Sequence, residues 1–108
     1  MNLKDLNLNE FISIDVETTG LDISNEKIIE IAAIKFKNGK IEDTFSELIN
    51  PRKKIPHFIE NLTGISNSDI TDKPQFKEIS DNFIRFIDKY PIVGHNVSFD
   101  IDFINKEL

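Results

Sequence analysis

Cysteine and tryptophan are absent, and tyrosine and methionine occur once each among 108 residues. The lack of cysteine excludes disulfides and thiolate chemistry and accords with a reducing cytoplasm, the compartment expected for this chain. No apolar run suits a signal peptide in MNLKDLNLNE, and no stretch approaches a membrane span, so no membrane partner is expected. There is no excess of positive charge either: the formal net charge is −6. That balance argues against affinity for nucleic acid by phosphate neutralisation alone. A chain of this charge that handled nucleic acid would need a cation brought into its site, and a divalent metal is the obvious candidate.

What is present is a globular composition. Hydrophobic residues make up 39%, and nearly all the aromatics are Phe. This length makes one domain or part of one, burying roughly 60–65% of the unfolded surface. The stretch around which the chain is organised is Phe11–Leu21, FISIDVETTGL. Strand alternation puts Phe11, Ser13, Asp15 and Glu17 on one side and Ile12, Ile14 and Val16 on the other. Asp15 and Glu17 then share a face, roughly 7 Å apart along the strand. Two acids ending an apolar strand conflict with strand propensity, as residues at functional sites often do. Solvated acids at a strand end are the alternative that the motif leaves open by itself. Thr18, Thr19 and Gly20 stop the strand, with Gly20 expected to supply the positive φ of a tight turn.

Met1–Glu10 reads as a leader, and Leu21–Glu26 as a polar connection. Lys27–Lys37 is apolar enough for a strand buried on both faces, and Asn38-Gly39 behind it is a strong hairpin signal. Lys40–Ile49 returns as a third strand, ended by Asn50-Pro51. Glu30, inside the second strand, has no neighbouring acid there and reads as a paired structural residue. Between Asn50 and Lys73 the text is loop-like, with short helical turns at His57–Leu62 and Ser68–Thr71 and Ser68 as a candidate N-cap. His57, without a ligand-spaced partner, reads as a surface or packing residue. Arg52-Lys53-Lys54 is a short basic cluster and the first place to look for a phosphate contact.

Phe76, Ile79, Phe83, Phe86 and Ile87 recur at helical spacing, predicting a helix over Pro74–Tyr90 that Pro91 stops. Ile92–His95 reads as a short inner strand. In Gly94–Ile104, GHNVSFDIDFI, Asn96 or Ser98 is placed to cap a helix beginning near Phe99, with Asp100 in its first turn. There the helix dipole favours a carboxylate, so capping by itself accounts for Asp100. Asp102 points roughly 200° around the helix from Asp100, so only one of the two faces a given site.

Together, FISIDVETTGL and GHNVSFDIDFI resemble the first and second motifs of the DEDD superfamily of 3′–5′ exonucleases, which includes the proofreading epsilon subunit of bacterial DNA polymerase III. IIEIAAIKF and LTGIS between them resemble the family too, so the likeness covers about Phe11 to Leu108. It implies an α/β, ribonuclease-H-like fold: a mixed sheet with flanking helices, the Asp15–Glu17 strand central, the meander on one side and Ile92–His95 on the other. It implies hydrolysis of phosphodiesters at nucleic-acid 3′ ends, single-stranded DNA or RNA, with two Mg²⁺ or Mn²⁺ ions. Oxygen ligands suit these hard ions, and two of them roughly 3.5–4 Å apart can activate water and stabilise the leaving oxygen.

By the same resemblance Asp15, Glu17 and Asp100 (not Asp102) are the catalytic and metal-binding acids. Thr18, Thr19, Gly20 and Leu21, with Asn96, Phe99 and Thr63, hold the terminal nucleotide, and His95 is structural. The family's third motif, a His base and a fourth Asp, has no match. The 108 residues are thus expected to be the N-terminal part (11–108) of an exonuclease domain, its C-terminal part missing, weak or inactive alone, and to belong with a polymerase or other domains of a longer chain. About 40–50 further residues would complete it. The Ile92–His95 edge would then be open to pairing with a second copy. A non-catalytic remnant or interaction module keeping the fold is the alternative.

Overall fold

The computed structural model describes residues 9–94 and 96–108; the proposed leader, apart from Asn9 and Glu10, and His95 lie outside the described residues. Glu10 itself belongs to the first strand, β1, Glu10–Thr18. It pairs antiparallel with β2, Ile28–Lys37, and β2 with β3, Lys40–Leu48. Asn38 and Gly39 make the β2–β3 hairpin with φ of 54° and 80°, the doubly positive geometry for which Asn-Gly is suited. β4, Ile92–Val93, runs parallel to β1 on its other side, giving the order β3-β2-β1-β4. The carboxylate strand is therefore internal, as the resemblance implied. Among the described residues β4 is an edge strand, the open edge expected of Ile92–His95, and is shorter than expected; Val93 is exposed.

Alternation of β1 holds: Ile12, Ile14 and Val16 are buried, whereas Asp15 is exposed. β2 is buried on both faces only at its start, where Ile28 and Ile29 are both inaccessible. They enter different cores. Ile28 joins Ile12, Ile14 and Val16 under α3, Phe76–Ile87, and α4, Val97–Glu107, which contribute Phe83 and Phe103. Burying each of these rings contributes on the order of 1.5–3 kcal/mol over leaving it in water. Ile29 joins Ile55, Ile59, Ile65 and Ile70, gathered by α1, His57–Thr63, and α2, Asn67–Ile70.

Several boundaries differ from the sequence expectation. Neither proline brackets α3. Pro74 is held in the preceding loop, its carbonyl accepting from Asn50 N–H at 2.8 Å, and Gln75 is the N-cap. At the other end Asp88 leaves helical geometry at φ 48°, and Pro91 is already aligned with the sheet, its carbonyl accepting from Ile12 N–H at 2.8 Å. Ser66, not Ser68, caps α2: its hydroxyl accepts from Asp69 N–H while Asp69 returns a bond to Ser66 N–H at 2.9 Å. α4 begins at Val97, two residues before Phe99; Asn96 is the N-cap position, in left-handed geometry at φ 55° and with no side-chain capping bond.

Candidate functional site

The site is built where β1 ends. The β1–β2 register slips between Glu17 and Thr18. Thr19, fully buried, then locks the returning chain: its N–H donates to Lys27 O at 2.8 Å and its hydroxyl accepts from Lys27 N–H at 3.0 Å. Thr18 Oγ1 donates to Gly20 O at 2.5 Å. Gly20 does not take the positive φ expected of it. Its role is space, because a Cβ there would run into the Glu26 carboxylate. Glu26 in turn is gripped by Lys53 Nζ at 2.6 Å. The middle of the basic cluster is thus spent on holding this loop, which Lys53 and Lys106 also bind through the carbonyls of Asn25 and Glu26.

Asp15 and Glu17 stand on the β1 face away from Ile14 and Val16, with Asp15 exposed and Glu17 half-buried. Asp100 comes from the first turn of α4 and is 7% exposed. β4 pairs with β1 only at Ile12 and Ser13, so the β1 edge beyond is free for α4, and Asp100 takes the Val16 amide. Burial first, and then the Asp15 charge, push the Asp100 carboxyl above its ordinary range, against the pull of that amide. Glu17 is pushed up by burial, then by Asp15, Glu30 and Asp100. Asp15, Glu17 and Asp100 therefore share one electrostatic neighbourhood, while Asp102 lies on the exposed side of α4.

Glu30 departs from the paired structural residue expected from the sequence. The ladder sets it directly opposite Glu17, and among the described residues it has no ion-pair partner. Its acidic neighbour is across the sheet, where no spacing rule within one strand could find it.

A cation fits this donor set. The groups are carboxylates, two of them are raised by burial and repulsion that a positive charge would relieve, and their oxygens suit a hard ion. Among the described residues no three His, Cys, Asp or Glu side chains stand ready to hold an ion on their own. Mutual repulsion of unneutralised carboxylates acts against such closure.

The residues expected around a nucleotide differ in availability. Leu21 is 85% exposed. Thr18 and Thr19 are buried, with hydroxyls committed to the loop, and the Thr63 hydroxyl donates to Ile59 O at 2.8 Å and accepts from Ile65 N–H at 3.1 Å. Phe99 is half-buried against Phe103, centroids 4.8 Å apart; Asn96 is exposed. Phe58 and Leu62, one turn apart on α1, are exposed apolar side chains that were not singled out from sequence. Their i, i+4 spacing beside LTGIS was the available signal. His57 is on the surface as expected, its Nδ1 3.5 Å from Glu60.

The sequence profile described as "Exonuclease", of the RNase T type, matches residues 12–108. The chain belongs to the exonuclease family. Among relatives of this exonuclease chain, the PolC-type DNA polymerase III of Caldanaerobacter subterraneus subsp. tengcongensis is 45% identical over 98 residues, 91% of this chain and 7% of that protein. The 3′-5′ exonuclease DinG of Bacillus subtilis is 43% identical over 104 residues, 95% of this chain and 11% of DinG. The chain thus spans a small part of the curated relatives it matches. Exonuclease X, solved with 5′ overhanging duplex DNA, superposes with a TM-score of 0.71 at 28% identity, covering 87% of this chain and 53% of that one. The four-stranded mixed sheet with its helices is the ribonuclease-H-like exonuclease architecture.

Proposed function

We propose that this chain carries the acid site of a metal-dependent 3′–5′ exonuclease that acts on single-stranded DNA or RNA ends, in proofreading or repair. What supports the reading is that Asp15 and Glu17 leave β1 on one face while Asp100, from the first turn of α4, is bonded to the Val16 amide of the same strand, with the Asp15 charge acting on both Glu17 and Asp100. Membership of the exonuclease family and the DNA-bound neighbour support the substrate class.

On this reading Asp15, Glu17 and Asp100 hold Mg²⁺ or Mn²⁺, two ions in the complete domain, with Glu30 adding negative potential. Bound there, a divalent ion supplies an activated water and charge neutralisation at the scissile phosphate. The chain's own work is positional. The Val16 amide aims Asp100, Thr18 and Thr19 fix the turn behind Glu17, and Leu21 offers an apolar face against which any terminal base can pack. In the cell the domain works in the cytoplasm beside a polymerase or other domains, and the β4 edge is where a second copy would pair.

The test is release of mononucleotides from the 3′ end of a labelled oligonucleotide by the full natural polypeptide in Mn²⁺. Asp15→Asn should abolish release while Asp102→Asn leaves it near wild type. Equal loss in both variants, or release from the 5′ end, would contradict the reading.

A further inference from the structure

Leu21, 85% exposed, stands at the head of a loop that is bonded to itself more than to the body. Asp22 organises that loop. Its carboxylate accepts from Ser24 N–H at 3.0 Å and from Asn25 Nδ2 at 2.6 Å, and its carbonyl from Glu26 N–H at 2.8 Å. Asp22–Glu26 is thereby one unit, and Glu26 is its anchor. The Glu26 carboxylate occupies the space that a Cβ on Gly20, immediately before Leu21, would need. Lys53 Nζ holds that carboxylate at 2.6 Å and donates to Asn25 O at 2.9 Å. Lys106 reaches only the Glu26 carbonyl, so among the described residues Lys53 is the single cation paired with the carboxylate.

Lys53 itself starts from fixed ground. Pro51 and Ile55 on either side of it are buried, and the Asn67 side chain bonds both the N–H and the carbonyl of Ile55, at 2.7 and 3.0 Å. Arg52 turns the chain just before Lys53 in left-handed backbone, φ 59°, its N–H donating to Asn50 Oδ1 at 2.9 Å. A residue other than glycine keeps that conformation only where its surroundings over-determine it.

We propose that Lys53 is a positioning residue for the terminal nucleotide: through Glu26 and Gly20 it fixes where Leu21 stands, without touching nucleic acid itself. The proposal rests on the exonuclease reading above, in which a terminal base packs on Leu21. A side chain this exposed has few neighbours to hold it, so its place follows its backbone, and the Glu26 carboxylate braces that backbone at Gly20. Charge-assisted bonds are short and directional, which suits them to setting a position. A partly exposed ion pair adds little to global stability, so the Lys53–Glu26 pair governs where the loop sits rather than whether the chain folds. An ammonium that turned to a phosphate would release both loop contacts.

The experiment is steady-state hydrolysis of a labelled single-stranded oligonucleotide from its 3′ end by the full natural polypeptide in Mn²⁺. Lys53→Met should raise KM about fivefold, the low end for losing one base contact, with kcat unchanged, as expected when ground state and transition state lose the same contact. Lys53→Arg should restore KM. Glu26→Ala should raise KM to the same extent, although removing an acid would by charge alone favour a polyanion. The double variant Leu21→Ala/Lys53→Met should be no worse than Leu21→Ala, because Lys53 acts only through Leu21. An unchanged KM in Lys53→Met, with hydrolysis intact, overturns the positioning role alone. A lower KM in Glu26→Ala, or a further loss when Lys53→Met is added to Leu21→Ala, makes Lys53 a direct phosphate contact and also overturns it. No hydrolysis by the wild-type polypeptide overturns the exonuclease reading and this role with it.

Discussion

Glu30 and Glu17 face each other across the β1–β2 ladder, two carboxylates where a sheet ordinarily places complementary side chains. Like charges directly opposite are destabilising, so the pairing costs the metal-free fold something. In Glu30→Gln the metal-free protein at pH 7 should gain about 0.2–1 kcal/mol in stability. The gain should shrink once the carboxylates are protonated, and also when Mn²⁺ is present. Denaturant midpoints at neutral and acidic pH measure it; a loss of stability at pH 7 would show that Glu30 has a favourable partner instead.

Protonation of Glu17 and Asp100 sets a second expectation. Both are held above their ordinary values of 4.5 and 3.8 in the folded chain. Their contribution to metal-free stability is therefore fully present below those values and is lost as pH rises through the higher folded ones. A divalent ion binds the deprotonated groups, so the Mn²⁺-induced rise in Tm should run the other way, growing with pH across the same window. Asp100→Asn should raise the Tm of the metal-free protein at pH 7 and remove much of the Mn²⁺ increment. Thermal melts over a pH series check both signs.

Gly20 offers a test of the loop that backs the acids. Gly20→Ala drives a methyl into the Glu26 carboxylate that Lys53 holds. The clash is with the end of a side chain that can swing aside at the expense of its Lys53 pair, so the cost should stay at or below about 1 kcal/mol, the low end for overpacking. Adding Glu26→Ala should recover part of that cost, because the two positions share one contact and their effects do not add. Strictly additive losses in the double variant would place the strain elsewhere.

Much of this fold is legible in the residues themselves. Alternation within FISIDVETTGL puts Asp15 and Glu17 on one face, Asn38-Gly39 marks the hairpin, and the Phe76–Ile87 periodicity marks α3. These are local signals with short range. What sequence reading misplaces is decided by contacts distant along the chain. Glu30 is acidic company for Glu17 only because of strand register. Gly20 is constrained by Glu26 rather than by its own backbone, and Lys53 is consumed by that same residue. α3 ends at Asp88 because Pro91 has to reach the β1 edge, a demand of the sheet that helix-stop rules do not contain. Ser66 outcompetes Ser68 as a cap because Asp69 answers it at the right spacing.

The most direct measurement is paramagnetic broadening of amide resonances on titrating Mn²⁺ into the ¹⁵N-labelled protein. If Asp15, Glu17 and Asp100 hold the ion, broadening should centre on 15–17 and the first turn of α4, spare the β2–β3 hairpin, and vanish in Asp15→Asn. Broadening centred on another acidic surface, or undiminished in Asp15→Asn, would contradict the assignment of the site.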